Sequence, residues 1–365
     1  MASQIKKNTL YYFIEKFDKH YLTKNIGIFA KYLSNDFNIE FISLKITSDL
    51  KGVPYVVTKI PFIKLLNNQI YFPWKVLIKT KRNDVLWAYP GHFGAFVAMV
   101  ISRIKGSILL LKSDSFPLFK NIRNPQNLQN KISNYLLYRL PIRASNIIIA
   151  ETKSTRDFLT QRWHIAEEKI VMVPNGIILS EYKKIDKSLG NIQRNKSILY
   201  LARITKTKGF DLFIEAIKKF KDEYRIDVAG PVEEPEIFNK YKNVFDHPTI
   251  NYHGPLYEKD LFRMLKRSYI FVNSSRSEGY NNTIPKALFF GCKVVATNVG
   301  ETRDILKDGE FGILCKPEKD HLEAAIEKCI DWDPDWKGIR KYLSNELNWE
   351  KNIIPLKRSI KNCMK

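Results

Sequence analysis

The stretch SILYLARITKTKGFDLFIEAI, residues 197–217, carries three signals in order. Residues 197–201 are a short apolar run of the kind that reads as a buried strand. A basic loop follows, containing Arg203 and Lys208, and it closes at Gly209. A helical pattern then runs over 209–220. Strand, short loop and helix in this order form the repeating unit of a parallel α/β sheet.

The unit recurs downstream. Strands are expected at 224–228, 250–252, 270–273 and 293–296, and helices at 258–268, 284–290 and 321–328. Residues 336–364 read as one last helix. Upstream, strands are expected at 38–44, 84–88, 107–111 and 146–150, and the first half closes at Pro174-Asn175-Gly176, a turn signal. Residues 179–197 are polar and read as a linker. The expected organisation is a first Rossmann-like domain over 1–178, the linker, a second domain over 198–345, and a tail at 346–365 that packs back on the first domain. The fold class is α/β, with two doubly wound domains. Such sheets bind ligands outside the carboxyl ends of their strands, here in an expected cleft between the two domains.

Composition narrows the class further. The 365 residues are 44% hydrophobic and 13% aromatic, which excludes a disordered chain. Four cysteines without a C-x-x-C spacing argue against a disulfide scaffold or a zinc site, and they fit a reducing cytosol. Residues 1–7 lead into no apolar run, so no signal peptide is expected, and the most apolar stretch, 93–101, is too short to span a bilayer. The net charge is +22, and the first 180 residues hold 26 basic against 11 acidic residues, a balance of +15. A basic half suits an anionic partner such as a phospholipid surface, polyprenyl phosphate or nucleic acid. A solvated basic surface is the plain alternative. No nucleic-acid-binding motif is present. Residues 60–82 interleave Phe62, Tyr71, Phe72 and Trp74 with Lys64, Lys75, Lys79, Lys81 and Arg82, a pattern suited to a membrane interface or to a core element with solvated lysines.

Two loops carry the chemistry. In the first, the fork of Arg203 and the point charge of Lys208 beside a helix start suit a diphosphate. The second, NSSRSEGY over 273–280, places Glu278 beside Gly279, where a carboxylate can take sugar hydroxyls and the backbone can approach a ligand closely. Amides over Gly279, Tyr280, Asn281, Asn282 and Thr283 could cradle a phosphate.

Taken in order, VMVPNGI (171–177), LYLARITKTKGFDLFIEAI (199–217), VAGP (228–231), INYHGPL (250–256), FVNSSRSEGYNNTIPKALFFGCKVVATNVGE (271–301) and NWEKNI (348–353) resemble glycosyltransferase family 4. The resemblance implies the GT-B fold and retaining transfer of a sugar from a nucleotide-diphosphate sugar to a saccharide or polyprenyl-linked acceptor. Surface polysaccharide or glycolipid synthesis would be the setting, in the cytoplasm or peripherally on the inner membrane face. It further implies that Arg203 and Lys208 neutralise the donor diphosphate, that Glu278 contacts the donor sugar, and that no metal or other cofactor is needed.

The sequence departs from the family at several positions. Lys286 stands where the second Glu of the family's E-x7-E motif is expected, and an ammonium cannot accept ribose hydroxyl hydrogen bonds. Either Glu301 or Asp304 takes the ribose, or Lys286 binds a phosphate, or activity is lost. The last case would leave a non-catalytic nucleotide-sugar-binding subunit; a GT-B nucleotide-sugar epimerase is a further alternative. In the first domain the usual Gly-rich loop is replaced by KHYLTKNIG (19–27), in which His20 is a weaker candidate. The polar group beside the reacting sugar is expected from Asp114 or His92, each of which also reads as a turn cap or a structural residue.

Overall fold

The computed structural model describes residues 7–17, 25–46, 53–59, 74–91, 93–113 and 128–365. The chain forms two compact units, residues 1–174 with 352–365, and residues 175–351.

The first unit holds strands β1 (Thr9–Phe17), β2 (Asn38–Ile46), β3 (Val56–Lys59), β4 (Val85–Ala88), β5 (Ile108–Ser113), β6 (Ile147–Ala150) and β7 (Ile170–Met172). They form a parallel sheet in the order β3-β2-β1-β4-β5-β6-β7. The second unit repeats the pattern with β8 (Ser197–Leu201), β9 (Arg225–Ala229), β10 (Ile250–Tyr252), β11 (Ile270–Asn273), β12 (Lys293–Thr297) and β13 (Ile313–Cys315), in the order β10-β9-β8-β11-β12-β13. Its strands are also all parallel. Both orders reverse once, the mark of a doubly wound sheet. β8 shows why the sheet is covered on both faces: Leu199 and Leu201 enter one apolar cluster, Ile198 and Tyr200 the opposite one.

β1, which lies inside its sheet between β2 and β4, was not among the expected strands, and neither were β3, β7 and β13. The polar linker expected over 179–197 is instead the helix Leu179–Leu189 followed by a short connection to β8. Its mean polarity hides an apolar stripe. Leu179, Tyr182, Ile185 and Leu189 pack on the core of the second unit, and the Tyr182 ring lies 5.2 Å from Phe262 and 5.6 Å from Phe289. Asp186 pairs with Lys266 at 2.6 Å. The final helix expected over 336–364 is broken into Trp336–Asn345, Trp349–Asn352 and Ile354–Cys363. At the break, Asn348 bridges to Ile177, which interrupts the helical hydrogen bonds. The last piece belongs to the first unit, where Lys357 and Lys361 reach Asp36 at 2.9 and 3.1 Å.

Within β9, Asp227 is fully buried and takes bonds from Arg225 and from His253 at 2.6 Å, with Arg267 at 3.4 Å. Burial pushes its carboxyl up. The bonds from His253 and Arg225 and the charge of Arg267 outweigh that and hold it below the ordinary aspartate range. A depressed folded-state value means that the carboxylate's stabilisation is present at neutral pH and is lost as pH falls through the carboxylate range. Asp227→Asn is therefore expected to lower unfolding free energy by about 3 kcal/mol at pH 7. The deficit should shrink below about pH 4, as read by denaturant unfolding across pH.

Candidate active site

In a doubly wound sheet the ligand crevice opens where the strand order reverses, outside the carboxyl ends of the strands. In the second unit that point lies between β8 and β11, which pair side by side. The loops that follow these two strands, 202–209 and 274–282, carry the cations and the carboxylate singled out above.

The two loops are fastened to one another. Gly209 has φ +68°, and a Cβ there would sit 1.8 Å from the Ser274 carbonyl oxygen, so only glycine lets the loops meet. Ser274 Oγ donates to the Gly209 carbonyl at 2.8 Å, and the Arg276 amide donates to the Thr207 carbonyl at 2.8 Å. The Arg276 guanidinium grips both Asp211 oxygens at 2.5 and 2.8 Å and also reaches the Lys206 carbonyl. This two-pronged pairing is the strong form of an ion pair. Arg276 and Asp211 carry no local sequence signal for the role, since they lie 65 positions apart.

With the loops fixed, Lys208 and Glu278 meet. Lys208 Nζ lies 2.7 Å from both Glu278 oxygens, and the side chains are 19% and 7% exposed. Glu278 also takes hydrogen bonds from Ser275 Oγ at 2.6 Å and Asn281 Nδ2 at 3.3 Å. Gly300 lies against the back of this loop: its Cβ would be 2.3 Å from the Glu278 carbonyl oxygen. The arrangement is a carboxylate and an ammonium held at a sheet's carboxyl edge, each able to exchange its partner for a ligand group of the opposite kind.

Arg203 is placed differently from Lys208. Its guanidinium pairs with Glu233 at 2.6 Å, and both side chains are about half exposed. Glu233 lies in the loop after β9 and was not among the expected site residues. A second carboxylate there, Glu234, accepts from the Lys206 amide at 2.9 Å. A surface cavity of about 570 Å³, lined in part by Lys206, Glu233, Glu234 and Tyr241, opens beside these residues.

Of the cradle residues, Asn281 accepts from the Thr283 and Ile284 amides at 2.9 and 3.3 Å, so those donors are already engaged at the start of the helix Thr283–Phe289. Tyr280 turns its hydroxyl to the Asn175 carbonyl at 2.6 Å, Asn282 is exposed, and the Gly279 carbonyl accepts from the Glu301 amide. Lys286, on that helix, makes no ion pair or side-chain hydrogen bond among the described residues, and burial pushes its ammonium below the ordinary lysine range. His92, Asp114 and His20 lie outside the described residues, as does most of 60–82. Among the described residues no group of three or more His, Cys, Asp or Glu is arranged to hold a metal ion.

Two parallel doubly wound sheets, one per unit, define a GT-B protein. Residues 195–331 match the family model described as glycosyl transferases group 1, and the chain is similar to glycosyltransferases. It is 22% identical over 342 residues to an uncharacterized glycosyltransferase of Methanocaldococcus jannaschii, covering 83% of this chain and 79% of that one. It is 23% identical over 312 residues to the N-acetylgalactosamine-N,N'-diacetylbacillosaminyl-diphospho-undecaprenol 4-alpha-N-acetylgalactosaminyltransferase of Campylobacter jejuni, covering 84% and 80%. Among solved structures, Anabaena HepE in complex with UDP-glucose superposes with a TM-score of 0.72 at 15% identity, over 97% of this chain and 99% of that one.

Proposed function

We propose that this chain is a retaining glycosyltransferase that moves a sugar from a nucleotide-diphosphate sugar to a saccharide or lipid-linked acceptor. The observation that carries the reading is the Lys208–Glu278 pair, built by two interlocked loops at the carboxyl edge of the second sheet. The bound UDP-glucose of HepE and the diphospho-undecaprenol named for the Campylobacter jejuni relative support the donor and acceptor classes.

In this reading the donor replaces both resting ion pairs. The diphosphate draws Lys208 from Glu278 and Arg203 from Glu233, and Glu278 is left to accept sugar hydroxyls. As the glycosidic bond breaks, negative charge grows on the departing diphosphate. Cations already in place stabilise that charge more in the transition state than in the ground state. The acceptor hydroxyl attacks from the face the diphosphate leaves and passes its proton to a leaving phosphate oxygen. Charge neutralisation by Arg203 and Lys208 means that the reading calls for no metal or other cofactor. The acceptor is assigned to the first unit, with His92 or Asp114 beside the reacting sugar. The setting is the cytoplasm, peripheral on the inner face of an anionic membrane, in the synthesis of a surface polysaccharide or glycolipid. Incubation with radiolabelled nucleotide sugars and membrane extract tests it: the label is expected to move to an acceptor with the donor's anomeric configuration. Failure to transfer from any donor would contradict it.

Glu233 makes a sharper expectation. It competes with the diphosphate for Arg203, so Glu233→Gln should tighten nucleotide binding by about two- to fivefold, a modest gain because the pair is exposed. Calorimetric titration reads the change; weaker binding would show that Glu233 serves the ligand rather than competing with it.

Lys286 favours a second reading, a non-catalytic subunit that binds a nucleotide sugar. A partly desolvated ammonium with no ion pair among the described residues destabilises the folded chain unless a ligand anion meets it. Lys286→Met is expected to raise the melting temperature by a few degrees and to weaken nucleotide binding. If the wild type binds tightly and never turns over, the second reading replaces the first.

A further inference from the structure

The carboxyl edge of the first sheet carries a buried ion pair that the proposed reaction does not use. Lys112, the last residue but one of β5, lies 2.7 Å from Glu151, the first residue after β6, and the side chains are 3% and 5% exposed. Such a pair adds little to the stability of a fold, because taking both ions out of water offsets their attraction and well-packed apolar residues serve as well. What this pair does is hold a ring. Lys112 Nζ sits 5.3 Å from the ring centroid of Tyr89, the first residue after β4. The neighbouring strands β4, β5 and β6 therefore carry Tyr89, Lys112 and Glu151 at their carboxyl ends, and of the three only Tyr89 is partly exposed.

The ring stands where a sheet of this kind takes a ligand. The strand order reverses between β1 and β4, and the crevice of a doubly wound sheet opens outside the carboxyl ends at that point. Tyr89 follows β4 directly, and its ring is 6.5 Å from that of Tyr12 on β1. The loop is fixed on its other side too. Gly91 has φ +92°, its amide donates to the Leu137 carbonyl at 2.8 Å, and a Cβ there would run into the Tyr138 ring, which packs on the core. An aromatic ring held this way offers a flat face and has little rotamer freedom left to lose on binding. The C–H face of a pyranose ring is flat and apolar in the same way, with its hydroxyls at the rim. A nucleobase also stacks, but the proposed reaction seats the nucleotide on the second unit.

We propose that Tyr89 is the platform on which the acceptor's sugar ring stacks, and that the buried Lys112–Glu151 pair positions that platform. The proposal rests on the reading of an acceptor-binding first unit and names its contact surface. Its test needs no donor. A chain that binds a glycoside on Tyr89 and yet moves no sugar would lose the transferase reading and keep this site.

The full chain is titrated with the methyl glycosides of glucose, galactose, N-acetylglucosamine and N-acetylgalactosamine, and binding is read by saturation-transfer NMR. At least one is expected to bind, with the saturation strongest on its ring protons. Tyr89→Leu keeps apolar bulk but loses the flat ring, and it should weaken that glycoside about tenfold, whereas Tyr89→Phe should stay within about twofold of the wild type. The double change Lys112→Met with Glu151→Leu removes both charges together. Its melting temperature is expected to hold or rise, while its glycoside affinity falls about threefold because the ring is no longer held. A fall in melting temperature with glycoside binding untouched would show that the pair is structural and overturn its positioning role. No glycoside bound by the wild type, equal affinity in Tyr89→Leu, or loss of UDP binding instead of glycoside binding in that variant would each overturn the platform.

Discussion

Replacing Lys208 with methionine is expected to lower kcat roughly a hundred- to a thousandfold, the range seen when one preplaced donor is removed from a developing anion. The side chains have similar length, so the change removes charge and little packing. The effect should be larger on kcat than on KM, because the ammonium is asked to stabilise charge that grows only as the glycosidic bond breaks. A second consequence concerns the ligand-free protein. Glu278 is 7% exposed and would lose its cation while keeping Ser275 and Asn281. An uncompensated buried carboxylate of this kind costs about 3 kcal/mol. Lys208→Met should therefore be both less stable and less active, and the double change Lys208→Met with Glu278→Gln should recover stability without recovering turnover. Recovery of turnover in the double variant would show that the pair is structural.

Gly209→Ala is the other change with a large expected effect. The residue sits at φ +68°, where an alanine is strained by about 1 kcal/mol or more, and the new methyl would press on the Ser274 carbonyl from 1.8 Å. The two loops must separate to make room. That breaks the Ser274–Gly209 bond and loosens Arg276 from Asp211. A loss of about 3 kcal/mol or more in unfolding free energy is expected. Donor binding should fall as well, because the separated loops no longer hold Lys208 and Glu278 at one site for the donor to engage together. An alanine variant with wild-type stability and wild-type nucleotide affinity would mean that the loops are not interlocked in solution.

The sequence carried the architecture wherever strands were bounded by turn residues. β8, β9, β11 and β12 fall within a residue or so of expectation because each ends in a polar or glycine-bearing loop. β1 escaped because TLYYFIEKF mixes aromatic and charged residues and does not stand out as an apolar run. The helix Leu179–Leu189 escaped for the opposite reason: its polar residues dominate the average, and its four apolar contacts matter only once a core is there to receive them. At the site, Arg203, Lys208 and Glu278 could be picked out singly from the loops that hold them. Their partners could not. Lys208 meets Glu278 across 70 positions and Arg203 meets Glu233 across 30, and no local pattern reports such pairings. The preference of Arg203 for Glu233 in the free chain follows from the loop after β9, whose two adjacent carboxylates had no assigned role in the sequence.

Calorimetric titration of the wild type, Arg203→Ala and Lys208→Met with UDP, GDP and ADP sugars goes most directly to the claim that these cations grip a diphosphate. At least one nucleotide sugar is expected to bind the wild type, with each variant losing about 1.5–3 kcal/mol of binding free energy and the loss shrinking as salt rises. Equal affinity in all three proteins, or no binding of any nucleotide sugar by the wild type, would contradict the account.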